Sequence, residues 1–163
     1  MNRTLFTSGI AALILSGCHG LSKDDSTVFR YNESANLSSL DPAHARSLEP
    51  MWATDQLFDG LVELTPELEV KPLVAESFYV DETGMRWTFV LRDDVYFPAV
   101  EDVPGLESGR RVVAEDVVFS LNRIRDPKVA SSGRWILDPV DASAPGEGIL
   151  ALGIDTVVIT LHQ

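Results

Sequence analysis

The sequence predicts a mixed α/β fold, and two segments carry that prediction. Residues 86–91 place Trp87, Phe89 and Leu91 at every second position, which is the period of a β-strand with one aromatic face. Residues 114–125 instead space their apolar side chains at the period of an amphipathic helix. A sheet covered by a helix buries both apolar faces at once.

Composition limits the class of protein. The 163 residues are enough for one domain with its own hydrophobic core, and an apolar share of 45% argues against disorder throughout. The formal net charge is -12. This charge argues against a nucleic-acid partner, because phosphate binding needs clustered basic side chains and the densest basic run here is Arg110-Arg111. We interpret the acidity as a source of solubility.

The first 27 residues are predicted to export and anchor the chain. The apolar run over residues 5–15 is too short to span a membrane, which needs about 20 apolar residues, and it has the anatomy of a secretory signal. The Leu-Ser-Gly-Cys motif that ends at Cys18 resembles a bacterial lipobox, in which the thiol receives a diacylglycerol. We therefore predict a signal peptide over residues 1–17 and a lipidated tether over 18–27. The alternative is an inert cysteine after an ordinary signal peptide.

The segment before the aromatic strand is predicted to hold two strands and a helix. Residues 28–31 form a short strand candidate, followed by a polar loop. The helix is expected over residues 49–58, because Pro50 is tolerated in a first turn and Gly60 is placed to terminate it. Residues 61–64 form the second strand.

The remaining elements follow from turn residues and periodicity. We expect residues 77–80 and 87–91 to form a hairpin with Trp87 and Phe89 in the core. A short strand over 95–97 should precede an exposed loop over 98–111, which contains two prolines and two glycines.

The helix over 114–125 has acidic residues in its first turn and ends at Asp126-Pro127. Residues 128–148 are predicted to be rich in loops, and 154–161 to form a last strand. A strand so near the end of the sequence suggests a truncated chain.

Five sequence blocks occur in one order along this chain, and together they carry a resemblance. The blocks are Leu40-Asp41-Pro42 and residues 56–62, 71–78, 87–97 and 113–121. In this order they resemble the N-terminal region of the family 5 extracellular solute-binding proteins, which are the oligopeptide, dipeptide and nickel binding proteins of ABC importers. The resemblance covers residues 28–163. Two departures are a longer loop over 98–111 and Val113 where the family often has a Ser or Thr helix cap.

The resemblance implies a type 2 periplasmic binding protein fold of which only the N-terminal part is present. It assigns residues 28–47 to the first strand and loop of the large lobe, and residues 48–163 to a smaller, truncated appended domain. The complete form would capture peptides or a related solute outside the inner membrane and deliver them to ABC permease subunits. Closure of two lobes over the ligand would be the mechanism.

The same resemblance suggests ligand contacts. The loop after Leu40-Asp41-Pro42 points to Arg46, Ser47 and Leu48, where extended backbone would meet the ligand main chain and Arg46 would meet a carboxylate. Asn32 and Trp135 are further candidates. The alternatives are a surface charge for Arg46 and core packing for Trp135.

No catalytic, metal or cofactor site is predicted, so we do not expect an enzyme. His19, His44 and His162 are far apart in sequence and lack metal-ligand spacing. Neither a nucleophile elbow nor a glycine-rich phosphate loop occurs. Two alternatives to solute binding remain open: a small non-transport lipoprotein that contacts partner proteins or cell wall, and an inactive truncated gene product.

Overall fold

The computed structural model describes residues 32, 35–105 and 107–162. The chain divides into two compact units, residues 1–33 and 34–163, and the helices and strands below belong to the second. The predicted signal peptide, Cys18, the tether and the strand over 28–31 lie outside the described residues.

The second unit contains two α-helices and eight strands within the described residues. The helices are α1 (Leu48–Asp55) and α2 (Ala114–Arg125). The strands are β1 (Val62–Leu64), β2 (Val70–Pro72), β3 (Ala75–Val80), β4 (Arg86–Leu91), β5 (Tyr96–Phe97), β6 (Arg110–Arg111), β7 (Ile149–Leu152) and β8 (Thr156–Thr160). Short 3-10 helices occupy Pro42–His44, Arg134–Leu137 and Pro145–Gly148.

The central sheet has the strand order β3-β4-β8-β7, and each neighbouring pair is antiparallel. The predicted hairpin is confirmed as β3 and β4. Its turn is held by Asp81, whose carboxylate accepts hydrogen bonds from the Thr83 hydroxyl and from the backbone N–H groups of Met85 and Arg86. Gly84 takes a φ of 75° in this turn, a conformation that glycine adopts without a steric penalty.

The core lies between the sheet and α2. Leu91, Ile149 and Val157 of the sheet are buried with Ala114, and the partly buried Val117, Val118 and Leu121 of α2 pack against them. The helix predicted over 114–125 is therefore confirmed at both ends, and so is its apolar face.

The expectation that both aromatic residues of β4 lie in the core holds only in part. Phe89 is half-buried and packs against the core, whereas Trp87 is half-buried beside the turn. Trp87 stacks on Phe78 with ring centroids 6.4 Å apart, and its indole N–H donates to the Gly84 carbonyl. Because the indole N–H needs a hydrogen-bond acceptor, this bond keeps the Trp87 ring next to the turn.

Asp116 organises the start of α2 where Val113 has no acceptor of its own. The Asp116 carboxylate accepts from the Val113 N–H at 2.9 Å and from both terminal guanidinium nitrogens of Arg110 at 2.6 and 2.7 Å. Arg110 first, and then the Val113 N–H, lowers the pKa of Asp116. One half of a capping box thus replaces the missing Ser or Thr.

The structure corrects three predicted elements. Helix α1 ends at Asp55 and not at residue 58, because the N–H groups of Leu57 and Phe58 both turn back to the Thr54 carbonyl. The loop predicted over 98–111 ends in strand β6, which pairs with β5. The last strand, β8, is shorter than the predicted 154–161.

Strands β2 and β7 were not predicted. Strand β2 is three residues long, ends in Pro72 and is exposed, so it has no alternating pattern. Strand β7 is continuously apolar, and a short apolar run does not distinguish a strand from a buried helix or loop.

Candidate functional site

The predicted ligand loop lies between the 3-10 helix Pro42–His44 and helix α1. Arg46, Ser47 and Leu48 are exposed, with Leu48 at 65%. The chain is extended here, since Ala45 has φ and ψ of -69° and 101° and Ser47 has -114° and 171°. Within the described residues, the N–H groups of Arg46 and Ser47 make no backbone hydrogen bond.

Trp135 lies in the 3-10 helix Arg134–Leu137 and is 69% exposed. Core packing, the alternative considered for this side chain, is therefore not its environment in this chain. Asn32 is exposed as well, but it belongs to the first unit.

A bidentate ion pair joins the segment before the ligand loop to α2. The two terminal nitrogens of Arg123 donate to the two carboxylate oxygens of Asp41 at 2.8 and 2.6 Å. The pKa of Asp41 is held well below its usual range, first by this contact with Arg123 and further by the Ala43 N–H and the His44 ring. Asp41 also caps the 3-10 helix, because its carboxylate accepts from the Ala43 N–H at 3.1 Å.

Two further contacts join the same segment to the chain that follows α2. The His44 ring places Nδ1 3.1 Å from an oxygen of Asp41 and Nε2 3.0 Å from the Val129 carbonyl oxygen. The Ser131 hydroxyl donates to the Ala43 carbonyl at 2.7 Å and accepts from the Gly133 N–H at 3.1 Å.

These contacts bring together the two segments that precede the predicted ligand residues. Arg46, Ser47 and Leu48 directly follow the tied residues 41–45, and Trp135 follows the tied residues 129–133. The structure therefore places four of the predicted ligand residues on neighbouring segments of one unit. Asn32 is not among them.

Sequence reasoning recognised Asp41 as part of a motif, but it did not pair Asp41 with Arg123 in the last turn of α2. Their separation of 82 residues left no local signal. His44 and Ser131 were also missed as contacts, since 85 and 88 residues separate them from Val129 and Ala43. The one local signal was Asp41 directly before Pro42, because aspartate favours the N-cap position and Pro42 begins the 3-10 helix.

An exposed apolar surface adjoins the ligand loop. Helix α1 buries Pro50 and Thr54 but exposes Leu48, Met51 and Trp52, which lie three and four residues apart on one face. Met51 is 53% and Trp52 57% exposed. An apolar ligand group or a further layer of protein would gain free energy by covering this face.

Over residues 32, 35–105 and 107–162, no three His, Cys, Asp or Glu side chains converge as metal ligands would. In the same part of the chain, no helix combines the length and apolar character of a membrane span.

Comparison with known proteins relates this chain to a family. The model for "Bacterial extracellular solute-binding proteins, family 5 Middle" matches residues 69–163, more than half of the chain. Two curated proteins of Escherichia coli (strain K12) are similar. The probable deoxycholate-binding periplasmic protein YgiS is 33% identical over 104 residues, covering 64% of this chain and 18% of that protein. The periplasmic murein peptide-binding protein MppA is 35% identical over 98 residues, covering 60% of this chain and 16% of that protein.

A solved structure shows the same fold. Listeria monocytogenes OppA bound to peptide superposes with a TM-score of 0.68 and 24% identity, covering 80% of this chain and 26% of that one. The predicted mixed α/β, type 2 periplasmic binding protein fold is confirmed, for a portion of that fold. This chain spans less than a fifth of the length of YgiS and MppA.

Proposed function

Because this chain belongs to the family 5 bacterial extracellular solute-binding proteins, we propose that it forms one wall of the ligand cleft of an ABC importer's binding protein. Residues 46–48 and Trp135 are the wall. The observation that carries this proposal is the pair of contacts from His44 and Ser131, which hold the two segments side by side, while Asp41 fixes the first segment to α2.

The chemistry of the wall favours a ligand with a peptide-like backbone and apolar side groups. The N–H groups of Arg46 and Ser47 lie on an extended, exposed strand of chain and are available to carbonyl oxygens of a ligand. Leu48 and Trp135 add apolar surface beside them. Arg46 would pair with a ligand carboxylate.

The similar proteins support a solute of this kind. MppA is named for murein peptide and the Listeria protein was solved with peptide, whereas YgiS is named for deoxycholate. A wall that offers backbone donors and apolar side chains suits a peptide and tolerates another largely apolar solute. We propose a peptide as the ligand, and ABC permease subunits as the partner that receives it.

The site of action is proposed to lie outside the inner membrane. YgiS and MppA are both named as periplasmic proteins. The lipobox-like motif at Cys18 would add a lipid anchor to a membrane. This anchor is a proposal from sequence.

Ligand contact is tested by the three tryptophan indole N–H signals in nuclear magnetic resonance spectra. A pool of tripeptides at millimolar concentration should shift the signal of the exposed Trp135. The Trp87 signal should stay in place, because its N–H is bonded to Gly84 within the hairpin. Calorimetry at micromolar concentration should show no saturable heat, since one wall buries too little of a ligand to bind it tightly.

Two variants make the test specific. Leu48→Asp should abolish the peptide-induced shift of Trp135. Tyr79→Ala should leave it intact, because it removes a 60% exposed aromatic side chain on β3, away from the tied segments. The proposed wall is contradicted if the peptide pool leaves the Trp135 signal unshifted, or if it shifts only signals from residues of the sheet.

A further inference from the structure

Among the described contacts between residues 41–48 and 129–135, the contact made by His44 is the one whose chemistry depends on a proton. Both of its ring nitrogens face acceptors, a carboxylate oxygen of Asp41 on one side and the Val129 carbonyl oxygen on the other. A neutral imidazole carries one N–H and can donate to only one of them. The imidazolium carries two and can donate to both.

We propose that His44 is a positioning residue that donates to Asp41 and to Val129 at once, and so joins the ligand loop most firmly to the segment before Trp135, only in its doubly protonated form. The inference rests on the proposed function, because the two segments it joins are those that carry the ligand wall. The result is a ligand wall that is held more firmly as the pH falls.

The charges around the ring are compatible with this role. On its own segment His44 faces the Asp41 carboxylate, and from α2 Arg123 donates to the same carboxylate. From the loop after α2 it meets the uncharged Val129 carbonyl. The Arg123 cation opposes a second positive charge nearby, whereas Asp41 favours it.

Asp41 remains an acceptor throughout the range in which histidine titrates. Its pKa is held well below the usual range by Arg123, so the carboxylate stays ionised between about pH 5 and 8. Loss of a proton from the imidazolium of His44 removes one hydrogen bond, either to Asp41 or to Val129.

The sign of the pH dependence follows from the proton count. The arrangement with both bonds formed contains one more proton than the arrangement with one bond, so a lower pH favours it. Opening of the two segments should become easier as the pH rises through the histidine range. Loss of one hydrogen bond predicts about a fivefold change in the opening equilibrium.

Amide hydrogen exchange of the 163-residue chain without ligand tests this inference. The reporters are the N–H groups of Ala43, Ala45 and Val129, which are bonded to Asp41, Pro42 and Asp126. Their protection factors, corrected for the intrinsic effect of pH, should fall about fivefold between pH 5.5 and pH 8. Amides of β4 and β8 in the same spectra report any change in global stability.

His44→Gln should remove this pH response while leaving the sheet amides unchanged, because glutamine carries no charge in this range. His162→Gln is the matched control. It alters a histidine that contacts the Asp138 carbonyl instead, and it should keep the response. Protection in the parent chain that is constant from pH 5.5 to 8, or an unchanged response in His44→Gln, would overturn the inference. Because no solute is present, this result is independent of whether peptides bind.

Discussion

Replacing Phe89 by alanine should test where the stability of this chain resides. Phe89 lies on the central strand β4, is paired with the fully buried Val157 of β8, and stacks on Phe78 with ring centroids 5.8 Å apart. Truncating a fully buried phenylalanine costs about 3–5 kcal/mol of unfolding free energy. Because Phe89 is half-buried, the loss of hydrophobic transfer free energy is smaller than for a fully buried side chain. Loss of the aromatic pair with Phe78 and of the strand propensity of phenylalanine lowers the unfolding free energy further.

We therefore expect Phe89→Ala to lower the unfolding free energy by about 3 kcal/mol. With a urea slope of about 1.5 kcal/mol/M, the midpoint of urea unfolding should fall by about 2 M. Far-ultraviolet circular dichroism of the parent and variant chains measures both midpoints.

Phe119→Ala is the matched control, since it makes the same change on the outer face of α2, where Phe119 is 70% exposed. Alanine favours a helix more than phenylalanine does, so this variant should lie within about 0.5 kcal/mol of the parent. If the two variants unfold at the same urea concentration, the core is not formed around β4 and β8 as described.

Two further predictions concern the ion pair and the anchor. Asp41→Asn should lower the free energy of unfolding at pH 7 by less than Phe89→Ala does. Because Arg123 lowers the pKa of Asp41, the difference in unfolding free energy between Asp41→Asn and the parent chain should shrink as the pH falls below about 4. Parallel urea titrations of the two chains measure this difference. An Asp41→Asn deficit that is the same at pH 3 and pH 7 would show that the carboxylate charge is not involved. Cys18→Ser should move the protein from the membrane to the soluble fraction after expression in a bacterium, whereas Ser22→Ala should not. Equal membrane retention of both variants would refute lipidation at Cys18.

The sequence was most informative where local pattern and tertiary packing agree. Strand β4 alternates with a period of two, and α2 combines an apolar face with acidic residues at its start and Asp-Pro at its end, so both could be predicted within a residue. Strands β2 and β6 have no such signal. They are three and two residues long, exposed for the most part, and exist because β1 and β5 pair with them.

The candidate site shows a different limit. Resemblance suggested Arg46, Ser47, Leu48 and Trp135, but the groups that hold their segments together are Asp41, His44, Arg123 and Ser131. These contacts join positions more than 80 residues apart, and their geometry depends on where α2 ends relative to the 3-10 helix Pro42–His44. A single sequence contains no information on that distance unless the fold is already known.

Stability and site geometry are therefore carried by different parts of the unit. The sheet and α2 bury Leu91, Ile149 and Val157 at 3% exposure or less, so their contacts open only with the whole unit. The tied segments are joined by a few partly exposed polar contacts and can open locally at a much smaller cost in free energy. It follows that Phe89→Ala should lower the protection of the amides in the sheet and α2, whereas His44→Gln should change only that of residues 41–48 and 129–135. The proposed ligand wall, built on such contacts, would adjust to its ligand or to pH while the sheet keeps its structure.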